Sequence, residues 1–273
     1  NLIVNAGSAQ VTVFTPTPGG GVTAAQNFTI TQVQVPNVAS VSAASFLGAE
    51  IAPESIVAAF GVNMATDVAI ANTVPLPTSL LGTKVTIRDS TGTARDAALF
   101  FVAPTQINYQ VPPGTANGDA TVTVSINNNV VGRGTMKVAQ AVPGLFTANA
   151  SGQGIPAATV LRVINGQLVY DSIYTSQNGQ VTPIPIDLTQ QNNSDVYLIL
   201  YGTGVKNAAA GTVSATIGGV TTQVLGFAAA PGFVGLDQIN VGPIPRSLIG
   251  RGNVDVVLTV GGKPANTVSV NIK

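Results

Sequence analysis

The chain has 273 residues, with 11 basic and 11 acidic side chains and no Cys, His or Trp. That length suits two domains, each large enough to bury a core without metal or disulfide staples. The missing Cys and His exclude thiol nucleophiles, Cys-based zinc sites, iron–sulfur clusters and the commonest general base.

Charged residues make up only 8% of the chain, against ~25% in ordinary soluble domains. No basic field is present to hold phosphates, which argues against nucleic acid and anionic membrane as partners. The mean hydropathy is +0.39, yet no apolar run approaches the ~18 residues of a membrane span, so no membrane insertion is expected. A neutral surface of Thr, Ser, Asn, Gln and Gly fits an extracellular or cell-surface protein that packs against other surfaces. Asn1 opens directly into strand-like sequence without an initiator Met or a signal peptide, which reads as a processed chain or a piece of something longer.

Residues 1–30 read as two strands. Val11 and Val13 share one face and Gln10 and Thr12 the other, the period-2 mark of a half-buried strand. A turn containing Pro16, Pro18 and Gly19-Gly20-Gly21 follows, and Phe28 and Ile30 then alternate with Asn27 and Thr29. A two-stranded hairpin alone is marginal in water, so something must cover Val11, Val13, Phe28 and Ile30. The stretch VTVFTPTPGGGVTAAQNFTI resembles the closing two strands of an IPT/TIG immunoglobulin-like domain, with Thr15 in place of the usual Asn before the turn.

Residues 31–36 form a short extended linker, and the first module runs over 31–139. Its expected strands are 38–46, 55–60, 83–88, 94–102, 106–111, 120–126 and 130–138, with 63–81 as the longest irregular loop. The second module, 140–273, has expected strands at 157–164, 167–171, 196–201, 212–217, 220–227, 238–241, 254–260 and 267–272. Asn165-Gly166 signals a hairpin, and 172–193 reads as a polar loop. Nowhere does a 3.6-residue apolar period persist, and short strands with Gly/Pro/Asn turns predict all-β sandwiches.

The chain repeats itself. FFVAPTQINYQVP at 100–112 returns as FAAAPGFVGLDQINVGPIP at 227–245, and Ser55–Gly61 answers Asp195–Gly202, each an apolar strand ending in an aromatic residue and a Gly. The expected fold is therefore two tandem immunoglobulin-like β-sandwiches behind an N-terminal two-stranded extension. Residues 38–273 resemble the uncharacterised C-terminal domain that closes large secreted proteins of Solibacter-type acidobacteria. The matching pieces are SAASFLGAEIAPESIVAAFGVNM, PLPTSLLGTKVTI, FFVAPTQINYQVP, VPGLFT, LILYGTGV and APGFVGLDQINV. The loop 172–193 departs from that pattern. The resemblance implies a secreted setting and carries over no catalytic residue.

Candidate sites are few. Glu50 and Glu54 are an acid pair on one loop, read mainly as solvated charges. Asp89 and Asp96 bracket a turn that superficially resembles a calcium loop but lacks D-x-D-x-D-G spacing. Asp237 precedes the second Gln-Ile-Asn, where the first copy has Thr105. Gln106, Asn108, Gln238 and Asn240 read as structural amides that satisfy loop backbone at a corner, the alternative being a pair of ligand amides. Nothing ties the five Lys to a nucleophilic Ser, and the 14 Tyr and Phe suggest no platform for sugars. Asn27, Asn149 and Asn192 begin N-x-S/T triplets.

The leading functional expectation is a non-catalytic, cofactor-free structural module, a filament subunit joined head-to-tail by strand donation from residues 1–30. Its partners are then other copies of itself, or neighbouring domains of a longer chain. The alternatives are an adhesion or carbohydrate-binding appendage and, last, a carboxylate hydrolase.

Overall fold

The computed structural model describes residues 7–30, 35–189 and 195–273. By its contacts the chain separates into two compact units, Asn1–Val35 and Pro36–Lys273.

The first unit is an antiparallel hairpin of β1 (Gly7–Val11) and β2 (Gln26–Ile30), in register at Ala9↔Phe28 and Val11↔Gln26. An isolated bridge, Phe14↔Val22, extends the pairing, and the Thr15 N–H donates to the Gly21 carbonyl at 2.9 Å. Between them the turn folds so tightly that a Cβ on Gly20 would lie 1.9 Å from the Thr15 carbonyl oxygen, so only glycine fits.

The second unit holds two sandwiches with separate cores. The first contains β3 (Ala39–Ser42), β4 (Ile56–Phe60), β5 (Ala69–Ile70), β6 (Thr83–Arg88), β7 (Ala94–Asp96), β8 (Ala98–Val102), β9 (Gln106–Gln110), β10 (Gly118–Ile126) and β11 (Asn129–Val138). One sheet runs β3-β4-β9-β8-β5 and the other β11-β10-β6-β7. Alternate residues such as Val85, Ile87, Leu99, Ile107, Tyr109, Val122 and Val124 meet between them, buried.

The second sandwich contains β12 (Gly144–Leu145), β13 (Ala158–Ile164), β14 (Gln167–Ser172), β15 (Tyr174–Gln177), β16 (Gln180–Pro183), β17 (Val196–Thr203), β18 (Val213–Ile217), β19 (Val220–Thr222), β20 (Val224–Ala229), β21 (Asp237–Val241), β22 (Gly252–Val260), β23 (Lys263–Pro264) and β24 (Val268–Ile272). Its main sheet runs β14-β13-β17-β21-β20, and β18 and β22 centre the facing sheet with β19, β23 and β24. Leu198, Leu200, Ile217, Ile239, Val256 and Leu258 fill the space between.

Written by position in the chain, both copies put the first, second, fifth and fourth long strands in one sheet and the third, sixth and seventh in the other. That is the strand order of the immunoglobulin fold. The copies also share a crossing that the sequence hides. The stretches 94–102 and 220–227, each expected as one strand, are two. The chain leaves one sheet at Ala97 or Gln223 and enters the other, so β7 and β8, like β19 and β20, belong to opposite layers. The second copy adds β14 as an outer strand beside β13, an edge that the first copy lacks.

The polar loop expected over 172–193 is corrected in part. It carries the hairpin β15–β16, closed by Asn178 and Gly179 with φ of 51° and 77°, the backbone that also closes β13–β14 at Asn165-Gly166. Residues 190–193 of that loop, residue 194 after it, and 31–34 of the expected linker lie outside the described residues.

Between the sandwiches the contacts are specific. The Thr203 hydroxyl accepts from the Ile56 N–H at 2.9 Å and donates to the Gly235 carbonyl at 2.7 Å. Asn207 donates to the Pro53 carbonyl, and Lys206 pairs with Glu54 at 2.7 Å. Glu50 pairs with Lys137 of the first sandwich and Lys263 of the second.

Candidate functional site

Register places Ala9, Val11, Phe28 and the Ile30 backbone position on one face of the hairpin, because directly paired residues project to the same side. That face is open. Val11 is 49%, Val13 61% and Phe28 54% exposed, and Phe14 and Val22 at the hairpin's far end are exposed as well. The Ile30 side chain lies outside what is described. On the opposite face the Gln10 amide donates to the Asn27 side chain. Residues 1–49 contain no Asp, Glu, Lys or Arg, and the first charge in the chain is Glu50. Edge strands are normally blunted by charge, and these have none.

The repeated amides occupy equivalent positions but do not serve loop backbone. Gln106 donates to the Asn108 side-chain oxygen at 2.9 Å, and Gln238 to that of Asn240, also at 2.9 Å. Each pair lies along its strand on the outer face of the sheet, with Ile107 or Ile239 pointing into the core between them. The corner itself is closed by backbone, Ala103 to Gln106 in one copy and Ala230 to Leu236 in the other. A strand two residues per repeat brings i and i+2 amides side by side, so mutual pairing satisfies them locally.

In the second sandwich this outer face becomes a cleft of about 360 Å³ lined by Leu161, Val163, Tyr170, Tyr197, Ile199, Leu225, Gln238 and Asn240. Pairing of Leu161 with both Tyr170 and Tyr197 sets the two tyrosines in one row across β14, β13 and β17. Tyr170 is 59% and Leu225 50% exposed. Tyr197 lies over Gly242, where a Cβ would come within 2.7 Å of its ring, and φ there is +147°. Its hydroxyl donates to Asp195 at 3.2 Å, and burial together with that carboxylate raises the phenol's pKa. A second shallow cleft shares Gln238 and Asn240 and continues past Phe227 and Pro231. The sequence suggests no platform for sugars, and these two tyrosines, 27 residues apart in sequence, join only in the folded sheet. The signal was available in β17, where Val196 to Tyr201 is apolar on both faces, the pattern of a strand covered on both sides.

The first sandwich differs in side chains at the equivalent face. By register, Ile56, Ala58 and Phe60 stand against Gln110, Asn108 and Gln106, where Ile199 and Tyr201 stand against Asn240 and Gln238. Ile56 is therefore the counterpart of Tyr197. Its N–H is held by Thr203, and its side chain lies where a Cβ on Gly235 would meet it at 2.7 Å. Both positions are half-buried, Ile56 against Gly235 and Tyr197 against Gly242.

The carboxylates are structural. Glu50 is held below its usual pKa by hydrogen bonds from Lys263 and then Lys137, the reverse of what a general acid needs. Asp89 accepts from the Thr91 hydroxyl and backbone, the Thr93 and Ala116 N–H groups and Arg95, and these donors hold its pKa well below the carboxylate range. It clasps a turn. Asp237 is buried and accepts from the Val205 and Lys206 N–H groups, burial pushing its pKa up. Its presence in one copy alone follows from position: it holds the 203–206 turn that receives the first sandwich. Four of the five lysines pair with carboxylates. Among the described residues no group of three or more acidic side chains converges on a metal position.

No family model matches the chain, and no curated protein matches it. Among solved structures, bovine butyrophilin is similar over 86% of this chain and 99% of that one, at 8% identity and a TM-score of 0.24. A likeness at that level carries no argument, and the immunoglobulin-like assignment rests on strand order.

Proposed function

We propose that the protein is a non-catalytic, extracellular structural module that associates with further copies of itself through its N-terminal hairpin. The observation that carries the reading is the hairpin's open apolar face on a segment without a single charge. Leaving such a face in water costs about 25 cal/mol for every Å² of apolar surface that a partner would otherwise cover. The hydrogen bonds and ion pairs between the sandwiches support the same reading, since a subunit that bears load needs fixed geometry between its ends. Glu50, Glu54, Asp89 and Asp237 are engaged in ion pairs and turns, which accords with a scaffold.

The test is sedimentation velocity and negative-stain microscopy on the whole chain and on a variant lacking residues 1–30. Assemblies larger than a dimer, lost in the variant, support the proposal. A whole chain that stays monomeric at its solubility limit refutes it.

A second reading, an adhesive appendage that binds carbohydrate, is favoured by the row of Tyr170 and Tyr197 beside the Gln238–Asn240 amides. Glycan binding by a monomeric chain, lost on Tyr170→Ala, would support that reading instead.

A further inference from the structure

The second unit carries three further surface features: the crevice beside Glu50, the exposed loop around Phe233, and the outer cleft of the second sandwich. Glu50 in the crevice is saturated by two lysines, and Phe233 is a single exposed ring. The cleft carries more.

We infer that the outer face formed by β14, β13 and β17 is the docking site for the N-terminal hairpin of a second copy, an inference that rests on the self-association proposed above. Two observations converge on that occupant. The first is charge. No residue lining the cleft is charged, and neither is any residue of the hairpin. Asp195 beside the lining already accepts from the Tyr197 hydroxyl, and a neutral apolar face loses no ion hydration on docking. The second is size. The five paired residues of each hairpin strand extend ~17 Å and two strands span ~5 Å between axes. The tyrosine row crosses three strands, ~10 Å, so the hairpin lies across it as a further β layer. Half of the lining is aliphatic, Leu161, Val163, Ile199 and Leu225, which suits protein side chains.

Hairpin and cleft are different surfaces, so the contact is heterologous and adds subunits without closing a dimer. Complementation tests this on full-length chains. One variant carries Val13→Asp and Phe28→Asp, the other Tyr170→Asp and Leu225→Asp, all exposed positions. Far-UV circular dichroism verifies the folds, and Val13→Thr and Leu225→Thr replace any variant that misfolds. The wild type assembles beyond dimers, each variant alone is monomeric, and their mixture stops at a one-to-one dimer, because one intact hairpin and one intact cleft remain. Should the cleft variant assemble like wild type while the hairpin variant does not, the cleft assignment falls and hairpin-driven association stands. Should the wild type be monomeric, or monomeric with oligosaccharide binding that Tyr170→Ala abolishes, both fall.

Discussion

Thr203→Val tests whether the two sandwiches are energetically one body. Thr203 is fully buried, and its hydroxyl satisfies two backbone groups on different sides of the junction, the Ile56 N–H and the Gly235 carbonyl. Valine keeps the shape and removes both bonds. A buried backbone group left without its partner costs about 1–3 kcal/mol, so two such groups give about 2–6 kcal/mol. The added methyl returns up to about 0.8 kcal/mol, leaving a net loss of about 1–5 kcal/mol. With a urea slope near the upper end of about 1–3 kcal/mol/M for a unit this large, the midpoint falls by about 1 M. The assay is equilibrium urea unfolding followed by far-UV circular dichroism, since the chain has no Trp. Thr203→Ser retains the hydroxyl and recovers most of the loss. A midpoint that moves by less than roughly 0.2 M in Thr203→Val would show that the junction bonds are not coupled to folding.

Other outcomes follow from single positions. Asn266 accepts from the Leu145 N–H and donates to the Leu145 and Gly152 carbonyls, all within 2.9 Å. Asn266→Asp faces those carbonyls with a carboxylate and lowers stability by about 3 kcal/mol or more, read by the same denaturation. A Cβ on Gly134 would sit 1.9 Å from the Val38 carbonyl oxygen, so Gly134→Ala displaces the chain entering β3, and amide exchange at Val38 accelerates relative to β10. Asp89, Glu50 and Asp187 all have lowered pKa values through their hydrogen-bond donors. A carboxylate with a depressed folded pKa contributes stability above its unfolded value, ~4, that is lost as pH falls through the folded one. The melting temperature therefore declines below about pH 4, and Asp89→Asn flattens that decline while lowering the neutral plateau. An acid limb unchanged in Asp89→Asn would contradict the clasp.

Much of the fold was legible because a half-buried strand writes its burial as alternation. Val122, Val124 and Ile126 against Thr121, Thr123 and Ser125 locate β10 on their own, and Gln-Ile-Asn reveals the duplication. What alternation cannot show is which sheet a strand joins. At Ala97 and Gln223 the chain changes layer while the apolar period runs on, so two strands read as one. The β15–β16 hairpin was missed although Asn178-Gly179 carries the same turn chemistry as Asn165-Gly166, because its flanks are polar and no core demanded them. Exposure of Val11, Val13 and Phe28 was foreshadowed by a hairpin too small to cover itself. The cleft was not, since Tyr170, Tyr197 and Leu225 meet only through cross-strand register.

The absence of native cysteine permits the most direct test of the hairpin-to-cleft contact. Chains carrying Val13→Cys are mixed with chains carrying Leu225→Cys and treated with a short bismaleimide, which couples only thiols that lie close together. A covalent dimer containing one chain of each kind, lost when Tyr170→Asp is added to the second, is the predicted result. Cross-linking confined to like chains, or none at concentrations where assemblies form, would contradict it.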